Sequence, residues 1–477
     1  MAKKKKTSTK KVVKKEVKKA AKKHPVGFLI VALVVLLVVG GGAGFYYFYY
    51  LPKHPVAGPG KDSKEDSSSS WVVPPSSSDA SSSSSSPSYS STSSDSSESK
   101  EMDPISFHFL TLGNANNGDS IYIKAGENDI LIDAGSKSGS APTIVKALKE
   151  YVTDGKLEYV ICTHAHSDHY SGMFGNVDSA FDGGRDGILY QFKVDQYIDF
   201  AYMNKTTVDS NKKVVKLHNA DVSSSFFGNT TEAYKYVVSR EFAVSKGTKW
   251  STIDNLENSN AGNPVIPLGR NLSMEFLKTK YHETGSTEEN NNSVVTLFHQ
   301  GDSQFLFTGD LEESGITSLL DLNPSLGHVR LFKTGHHGSI NANPKELYER
   351  ITPEVVAICA SAGVSEFTTD GDNLMPYQAT IDNIAKYTSN VFCTTYGDFL
   401  NQKGKVGTPY DLNGRINLYY DSLGNVSVNN SANNTVLKDS VWFNKTGDIY
   451  KTVDPNKPNR TWPEGKSMYS DPLPIQA

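Results

Sequence analysis

The sequence Thr163-His164-Ala165-His166-Ser167-Asp168-His169 is the stretch from which the fold and chemistry of this chain follow most directly. It places three imidazoles and a carboxylate within six residues, in a chain of 477 residues that has only 12 histidines. The apolar run Val160-Ile161-Cys162 precedes it, so the pattern predicts a buried strand that ends where the histidines begin. Incidental histidines in a polar loop are the alternative, which the density of the run disfavours.

The same stretch predicts a binuclear metal site. We expect His164 and His166 to turn toward one ion, and Asp168 and His169 to reach a second. Nitrogen and oxygen donors of this kind suit Zn²⁺, with Mn²⁺ or Fe as alternatives. The predicted cofactors are therefore two divalent metal ions.

Regular elements surround this stretch from Ile105 onward. Alternating or apolar segments predict strands, and the four-residue spacing of Ile144, Leu148 and Val152 predicts a helix. The predicted elements are strands at 105–112, 120–124, 129–133 and 159–163 and a helix at 143–152.

A second carboxylate follows a predicted hairpin. Two alternating strands, 292–299 and 304–308, flank a turn at 300–303, and Asp310 comes directly after the second strand. We predict that Asp310 bridges the two ions. Its alternative role is to cap a helix that begins near Glu312.

Two more histidines follow another predicted strand, at 329–332. We predict His336 as a ligand of the second ion and His337 as a contact to substrate oxygens. Lys333, at the end of the strand, is predicted to help neutralise an anionic substrate. A solvated lysine with no role is an equal alternative.

Six motifs between residues 105 and 430 carry a resemblance to a known family. They are Gly118-Asp119-Ser120, Leu131-Ile132-Asp133-Ala134-Gly135, the histidine stretch, Asn291-Asn292-Ser293-Val294-Val295, Leu306-Phe307-Thr308-Gly309-Asp310 and Lys333-Thr334-Gly335-His336-His337-Gly338-Ser339. In them the chain resembles metallo-β-lactamase-fold hydrolases, and among these the extracellular hydrolase domain of ComEC-type DNA-uptake proteins. The resemblance implies an α/β (α+β) fold, a four-layered αββα sandwich, with Asp133 orienting the imidazole of a metal ligand.

The chain departs from this family at three points. The superfamily commonly offers a third histidine to the first ion. Here the candidates are His218, His282 and His299, of which His282 is the best, and a shell completed by water without any of them is favoured. His166 stands where ComEC-type domains more usually have an aspartate. The first glycine loop is expanded to residues 113–118, which affects the rim of the site.

The hydrolase domain is predicted to span residues 102–430. It contains an aromatic-rich insertion, 176–290, that we expect to cover the site mouth and select the substrate. Strands at 391–396, 415–420 and 425–428 are expected to complete the second sheet. Residues 431–477 are predicted to form an irregular C-terminal extension.

The N-terminal region predicts a membrane anchor. Residues 1–24 form a basic cytoplasmic tail, 25–51 an uncharged apolar segment with an aromatic end, and 52–101 a serine-rich disordered linker. A cleaved signal peptide is the alternative, but its apolar region would be unusually long. The lysines orient the segment, so the domain is predicted to face outward.

Charge and cysteine content limit the function classes. The chain carries −4 overall while residues 1–23 contribute +11, and once the linker is counted the domain has a net charge of about −12. Such a domain does not attract polyanions by bulk electrostatics. Three cysteines, in strand-like runs, form no disulfide framework, although a bridge between Cys359 and Cys393 remains an alternative.

The favoured function is metal-dependent hydrolysis of a phosphodiester outside the cell, with Asp168 as the general base or the acid that orients the attacking water. The predicted substrate is DNA, by resemblance, or a cell-wall polymer, as in phosphorylcholine esterases that share this fold. A non-catalytic surface binding module is a rival that the number of ligands disfavours. A β-lactamase or thioesterase substrate is disfavoured by the His-His-Gly-Ser motif. The membrane is the predicted partner, and no stable protein partner is expected.

Overall fold

Two units divide the chain, Met1–Ser93 and Ser94–Ala477. The computed structural model describes residues 101–176, 185–199, 230–253, 256, 262–369, 373–398, 400, 402–443 and 460–476. The predicted tail, transmembrane segment and all but the last residue of the linker lie outside these residues. Within the described residues no helix is long and apolar enough to cross a membrane.

Sixteen strands and eight helices form the described part of the second unit. The strands are β1 (Ile105–Phe109), β2 (Ile121–Ala125), β3 (Asn128–Ile132), β4 (Lys156–Ile161), β5 (Lys193–Asp199), β6 (Lys249–Thr252), β7 (Val265–Gly269), β8 (Leu272–Leu277), β9 (Val295–Gln300), β10 (Ser303–Phe307), β11 (Leu331–Lys333), β12 (Val355–Ala362), β13 (Val391–Gly397), β14 (Pro409–Asp411), β15 (Ile416–Tyr420) and β16 (Val426–Val428). The helices are α1 (Ala141–Tyr151), α2 (Ser167–Phe174), α3 (Ile188–Gln191), α4 (Thr230–Ser245), α5 (Tyr281–Thr284), α6 (Glu313–Leu322), α7 (Lys345–Ile351) and α8 (Gln378–Ala385).

The strands form two eight-stranded sheets. The order of the first is β16-β15-β1-β2-β3-β4-β5-β6, and that of the second is β14-β13-β12-β11-β10-β9-β8-β7. In each sheet antiparallel pairing gives way to parallel pairing, at β3–β4 in the first and at β10–β11 in the second. Because parallel strands end at the same edge, the loops after β3, β4, β10 and β11 are available to build one site.

Three apolar clusters show how the layers pack. The cluster between the sheets contains Phe107 and Ile123 of the first sheet and Phe298 and Phe305 of the second. A second cluster packs helices α1 to α4 on the outer face of the first sheet, and a third packs α6 to α8 on the outer face of the second. Alternation along β1 and β2 sends one set of side chains inward and the other toward the helices. The predicted αββα layering is the observed architecture.

The described chain begins at the end of the sandwich where the hairpin turns lie. The Met102 amide donates to the Ser422 carbonyl in the β15–β16 turn, and the Asp103 amide donates to the Arg270 carbonyl in the β7–β8 turn. Gln300, at the β9–β10 turn, donates from its side chain to the carbonyl of Asp103. From this turn β10 runs toward the opposite end of the sandwich.

Strand order corrects one expectation. Residues 415–420 and 425–428 were expected in the second sheet, but β15 pairs with β1 and extends the first sheet, and β16 pairs with β15. The first sheet would otherwise expose the whole edge of β1. An exposed edge presents unpaired backbone N–H and C=O groups, and pairing with β15 satisfies those of β1.

The aromatic-rich segment 176–290 is described only in part, and its predicted role at the site mouth stays a prediction. Its described parts supply β5 and β6 at one edge of the first sheet and β7 and β8 at the edge of the second, so they extend the sandwich. Tyr197 and Tyr236 are buried and their hydroxyls are 2.6 Å apart. The aromatic residues between 200 and 229 lie outside the described part of the chain.

The described parts of the C-terminal extension pack on the sandwich. Ile475 forms a β-bridge with Val428, and Tyr469 forms one with Thr388. Trp442 is buried in the third apolar cluster, which also contains residues of α7 and α8. The three cysteines are buried and free, so no bridge joins Cys359 to Cys393.

Candidate metal centre

The histidine stretch lies where it was predicted, at the carboxyl end of β4 and the start of α2. His166 immediately precedes α2, and Asp168 and His169 lie in the first turn of that helix. Asp133, directly after β3, accepts hydrogen bonds from the amide and the hydroxyl of Thr163, both at 2.8 Å. Asp133 has a φ of +59°. This carboxylate therefore holds the start of the stretch in place.

His169 connects the two sheets. Its Nδ1 donates to Asp133 at 2.8 Å, which leaves Nε2 facing the Asp310 carboxylate at 3.0 Å. Burial opposes protonation, but the Asp310 and Asp133 carboxylates outweigh it and raise the pKa of His169 well above its usual value. An imidazole with one nitrogen held by a carboxylate and the other facing a second carboxylate is typical of a metal ligand.

His164 and His166 face each other across a short gap. Their Nε2 and Nδ1 atoms are 3.1 Å apart, and His164 Nε2 lies 4.0 Å from Asp310. Two nitrogens bound to one Zn²⁺ at tetrahedral angles are about 3.3 Å apart. The Thr163 hydroxyl accepts from His164 Nδ1 at 3.0 Å, so Nε2 carries the lone pair. Burial, followed by the neighbouring histidines, keeps the pKa of His164 well below its usual value.

Donor atoms of four residues meet at the second position. One oxygen or nitrogen each from Asp168, His169, Asp310 and His337 lie within 4.8 Å of one another. His337 Nδ1 donates to the Cys359 carbonyl at 3.0 Å, so Nε2 points at Asp168, 3.3 Å away, and at Asp310, 3.5 Å away. His337 Nε2 therefore faces two carboxylates of the centre and belongs to the group that could hold the second ion.

His336 lies at the mouth of the site. Its Nε2 is 3.9 Å from Asp310, its Nδ1 is 3.5 Å from Glu312, and 20% of its side chain is exposed. Both His336 and His337 have positive φ, which turns consecutive side chains in different directions. The two side chains thus occupy different places: His337 faces the buried carboxylates, and His336 lies at the mouth of the site.

Lys333 is buried beneath the site. Its side chain is 1% exposed, and its Nζ forms a salt bridge with Asp119. The same Nζ lies 3.7 Å from Asp310 and 3.3 Å from the Gly309 carbonyl oxygen. Burial opposes its charge, yet these carboxylates raise the pKa of Lys333. The predicted neutralisation of substrate is therefore corrected, because this ammonium group contacts carboxylates of the protein and is inaccessible to a ligand.

Asp119 is a site residue to which the sequence assigned no role. Burial works against its ionisation, but Lys333 and then His337 outweigh it and lower the pKa of Asp119. Its Oδ1 lies 3.3 Å from His337 Nδ1. The motif Gly118-Asp119-Ser120 was the sequence signal for this residue. Its role becomes clear only from its salt-bridge partner Lys333, which lies 214 positions later in the chain.

A strap formed by residues 289–294 joins the two ligand loops. Glu289 accepts from the Ala165 amide at 2.9 Å, and the Val294 amide donates to the Thr163 carbonyl at 2.9 Å. The Ser293 hydroxyl accepts from the Asp310 amide at 3.1 Å, and Asn291 accepts from the Glu312 amide at 3.1 Å. The strap therefore fixes the histidine stretch relative to Asp310.

The candidates for a third histidine take no part in the centre where they are described. His282 accepts from the Thr279 amide and donates to the Ser293 carbonyl, so both ring nitrogens are used. His299 pairs with Glu275 at 2.8 Å, at the hairpin end of the sandwich. His218 lies outside the described residues.

The expanded glycine loop forms one side of the rim. Asn117 donates to Glu366 from its backbone at 2.7 Å and from its side chain at 3.1 Å, and Asn116 also donates to Glu366. Lys137 lies 3.8 Å from the same carboxylate. Burial raises the pKa of Glu366.

The residues present fit two divalent ions. The buried Oδ1 atom of Asp310 has no hydrogen-bond partner among the described residues. Burial opposes ionisation of Asp310, but His169 and His337 outweigh it and hold its pKa well below the usual range. Mixed nitrogen and oxygen donors of this kind suit Zn²⁺, Mn²⁺ or Fe.

Known proteins share part of this chain. Residues 113–177 match the family described as Metallo-beta-lactamase superfamily. The chain is 27% identical over 130 residues to ComE operon protein 3 of Bacillus subtilis (strain 168), an alignment that covers 26% of this chain and 16% of that protein. These matches confirm the resemblance predicted from the six motifs.

Solved structures to which the chain is similar have lower sequence identity. The metallo-beta-lactamase fold protein YhfI from Bacillus subtilis is 13% identical, with a TM-score of 0.33 over 65% of this chain and 100% of that one. CmlA, a diiron beta-hydroxylase from Streptomyces venezuelae, is 14% identical, with a TM-score of 0.28 over 54% of this chain and 45% of that one.

Proposed function

We propose that this chain is a membrane-anchored, extracellular, metal-dependent phosphodiesterase of the ComEC-like type. The observation that carries the proposal is the meeting of Asp168, His169, Asp310 and His337 donors within 4.8 Å, beside the His164 and His166 pair. A structural Zn²⁺ uses four protein ligands and leaves no open position. Two adjacent ligand sets that share one carboxylate are instead typical of hydrolytic centres.

The residues of this chain have distinct tasks in that reaction. Two bound ions supply Lewis acidity and a water of lowered pKa. Asp133 holds His169 and, through Thr163, His164 in the tautomers that bind metal. Asp168 has 15% of its side chain exposed, whereas Asp310 is buried. Of these two carboxylates, Asp168 is therefore the one that reaches the mouth and can orient an attacking water. His336 lies where it can contact substrate oxygens.

The substrate we propose first is DNA, on the resemblance to ComEC-type domains. The acidic domain counts against tight binding of a polyanion. A cell-wall polymer bearing a cationic group is the second candidate, because Glu312 and Glu366 lie at the mouth and rim. Tyr197 and Tyr236 of the 176–290 segment are fully buried, so these two tyrosines are not available to stack on such a cationic group.

The proposed location rests on the sequence. An uncleaved single-pass anchor at 25–51, with the lysine-rich tail in the cytoplasm, and a serine-rich stalk at 52–101 hold the enzyme outside the cell. Protease added to intact cells is expected to cut the stalk and release an active fragment. Release only after lysis would contradict the outward orientation.

Hydrolysis of bis(p-nitrophenyl) phosphate by the purified full-length chain tests the activity. We expect about two ions per chain, loss of hydrolysis on chelation, and recovery when Zn²⁺ or Mn²⁺ is returned. His166→Ala should abolish turnover, whereas the control His299→Ala, at the other end of the sandwich, should not. Ion binding without any hydrolysis would favour the rival binding module.

Substrate choice needs a separate comparison. Cleavage of single-stranded DNA is measured beside cleavage of p-nitrophenyl phosphorylcholine, with the same preparation. Faster cleavage of DNA supports the first candidate. Cleavage of the choline ester alone would replace it by the second.

A further inference from the structure

The two ion positions are unequally supplied with protein donors. The second position has Asp168, His169, Asp310 and His337, whereas the first has His164, His166 and Asp310. The third histidine that would balance them is absent from the described residues around the centre. His282, the best candidate from the sequence, uses both ring nitrogens in hydrogen bonds to the backbone.

A buried amide beside the centre has an unused oxygen. Asn290 is 8% exposed, and its Oδ1 has no hydrogen-bond partner in the described part of the chain. Its Nδ2 donates to Glu312 at 2.8 Å. Since a carboxylate accepts only from the N–H side of an amide, this bond fixes which end of Asn290 is the oxygen. A buried carbonyl oxygen without a partner is unfavourable and calls for an explanation, such as a ligand.

The position of Asn290 relates it to the first ion. It belongs to the strap, whose preceding residue Glu289 binds the Ala165 amide between the two histidines of the first position. Its other contact, Glu312, lies 3.5 Å from His336, which is 3.9 Å from Asp310. Asn290 therefore follows the residue that holds the histidine stretch, and its own side chain donates to Glu312, which faces His336 at the mouth of the site.

We propose that Oδ1 of Asn290 is a ligand of the first ion and takes the place of the missing third histidine. The inference rests on the proposed two-ion centre. It gives the first position two nitrogen and two oxygen donors. Because an amide oxygen is a harder donor than an imidazole nitrogen, the first position accepts Mn²⁺ more readily than a three-histidine site does.

The test measures metal binding by the full-length protein, independently of activity. Wild type, Asn290→Ala, Asn290→Asp and Asn292→Ala are stripped of metal and titrated with Mn²⁺ and Zn²⁺ in competition with a chromophoric chelator. Asn292 is the matched control, because it lies in the same turn and its amide bonds only to protein, at Ser286 and Glu289. Melting temperatures in chelator verify that each variant is folded.

We expect Asn290→Ala to keep one tight ion and to bind the other at least about tenfold more weakly, because even loss of an outer partner of a ligand costs that much. Asn290→Asp keeps an oxygen but not the N–H bond to Glu312, and should still bind two ions, as should Asn292→Ala.

Two results would overturn the proposal. One is Asn290→Ala binding both ions as tightly as wild type. The other is Asn290→Asp weakened as much as Asn290→Ala, which would show that only the hydrogen bond to Glu312 matters. If wild type itself bound no ions, the proposed function would fall together with this inference.

Discussion

The two sheets repeat one pattern of strands but supply the centre differently. Strands β1 to β6 and strands β8 to β13 show the same succession of two antiparallel and three parallel pairings. Each sheet places an aspartate after its third strand in this series, Asp133 after β3 and Asp310 after β10. Asp133 binds only protein groups, whereas Asp310 faces three histidines. Equivalent topology therefore decides where an acid lies, and its neighbours decide what it does.

The loops after the next strands differ in the same way. The loop after β4 contributes His164, His166, Asp168 and His169 to the candidate metal centre, while the loop after β11 places His337 in the centre and His336 at its mouth. The first sheet thus supplies most donors, and the second supplies the shared carboxylate and closes the site.

The strongest test of this comparison replaces each of the two aspartates in a separate variant. We expect Asp310→Asn to lose at least about a thousandfold in kcat/KM, since several kcal/mol of charge stabilisation depend on the shared ions. Asp133→Asn should weaken metal binding by about tenfold to a hundredfold and keep most of its activity at saturating metal. Metal content and hydrolysis are measured together, and equal losses in both variants would show that the two acids are equivalent.

The adjacent histidines of the second sheet provide the next test. His337→Ala should lower affinity for one ion by more than about a hundredfold, the upper range for loss of an outer partner. His336→Ala should retain both ions and raise KM or lower kcat. Metal titration separates the two, and loss of an ion in His336→Ala but not in His337→Ala would restore the assignment made from sequence.

Lys333 tests whether the ammonium group serves the fold or the substrate. Lys333→Met leaves Asp119 and Asp310 without their buried cation and should destabilise the protein by about 3–5 kcal/mol in chelator. The exposed Lys137, changed to Met, is the matched control and should change stability little. Denaturant unfolding measures the loss, and a stable Lys333→Met variant with a raised KM would support substrate contact instead.

His282 gives the smallest effect and concerns pH. Burial lowers the pKa of His282 to about 4, so the unfolded chain takes up a proton as pH falls through 6.5 while the folded chain does not. The stability contributed by neutral His282 is present above pH 6.5 and is lost toward pH 4, by about 2 kcal/mol between pH 7 and 5. His282→Gln should flatten this part of the pH–stability curve without changing metal content; a lost ion would contradict its structural role.

Local sequence pattern was sufficient for the elements that build the site. The histidine stretch, the β9–β10 hairpin and Asp310 were predicted from runs of a few residues, because periodicity and turn residues are local properties. The sheet to which β15 belongs was not predicted correctly, because the alternating pattern of a strand does not specify the strand with which it pairs. The burial of Lys333 was also missed, because it depends on Asp119, which lies far away in the chain. The different placement of the His336 and His337 side chains depends on two positive φ angles that the sequence does not reveal.

The start of the described chain has a consequence for handling the protein. Met102 and Asp103 are attached to hairpin turns, and β10 runs from one of these turns, at Gln300, to Asp310 near the metal centre, over roughly 15–20 Å of strand. A support or fusion partner coupled at Glu101 is therefore joined at the end of the sandwich remote from the ions. The protein can be immobilised in one orientation through this residue, with the mouth of the candidate metal centre presented to the flowing solution.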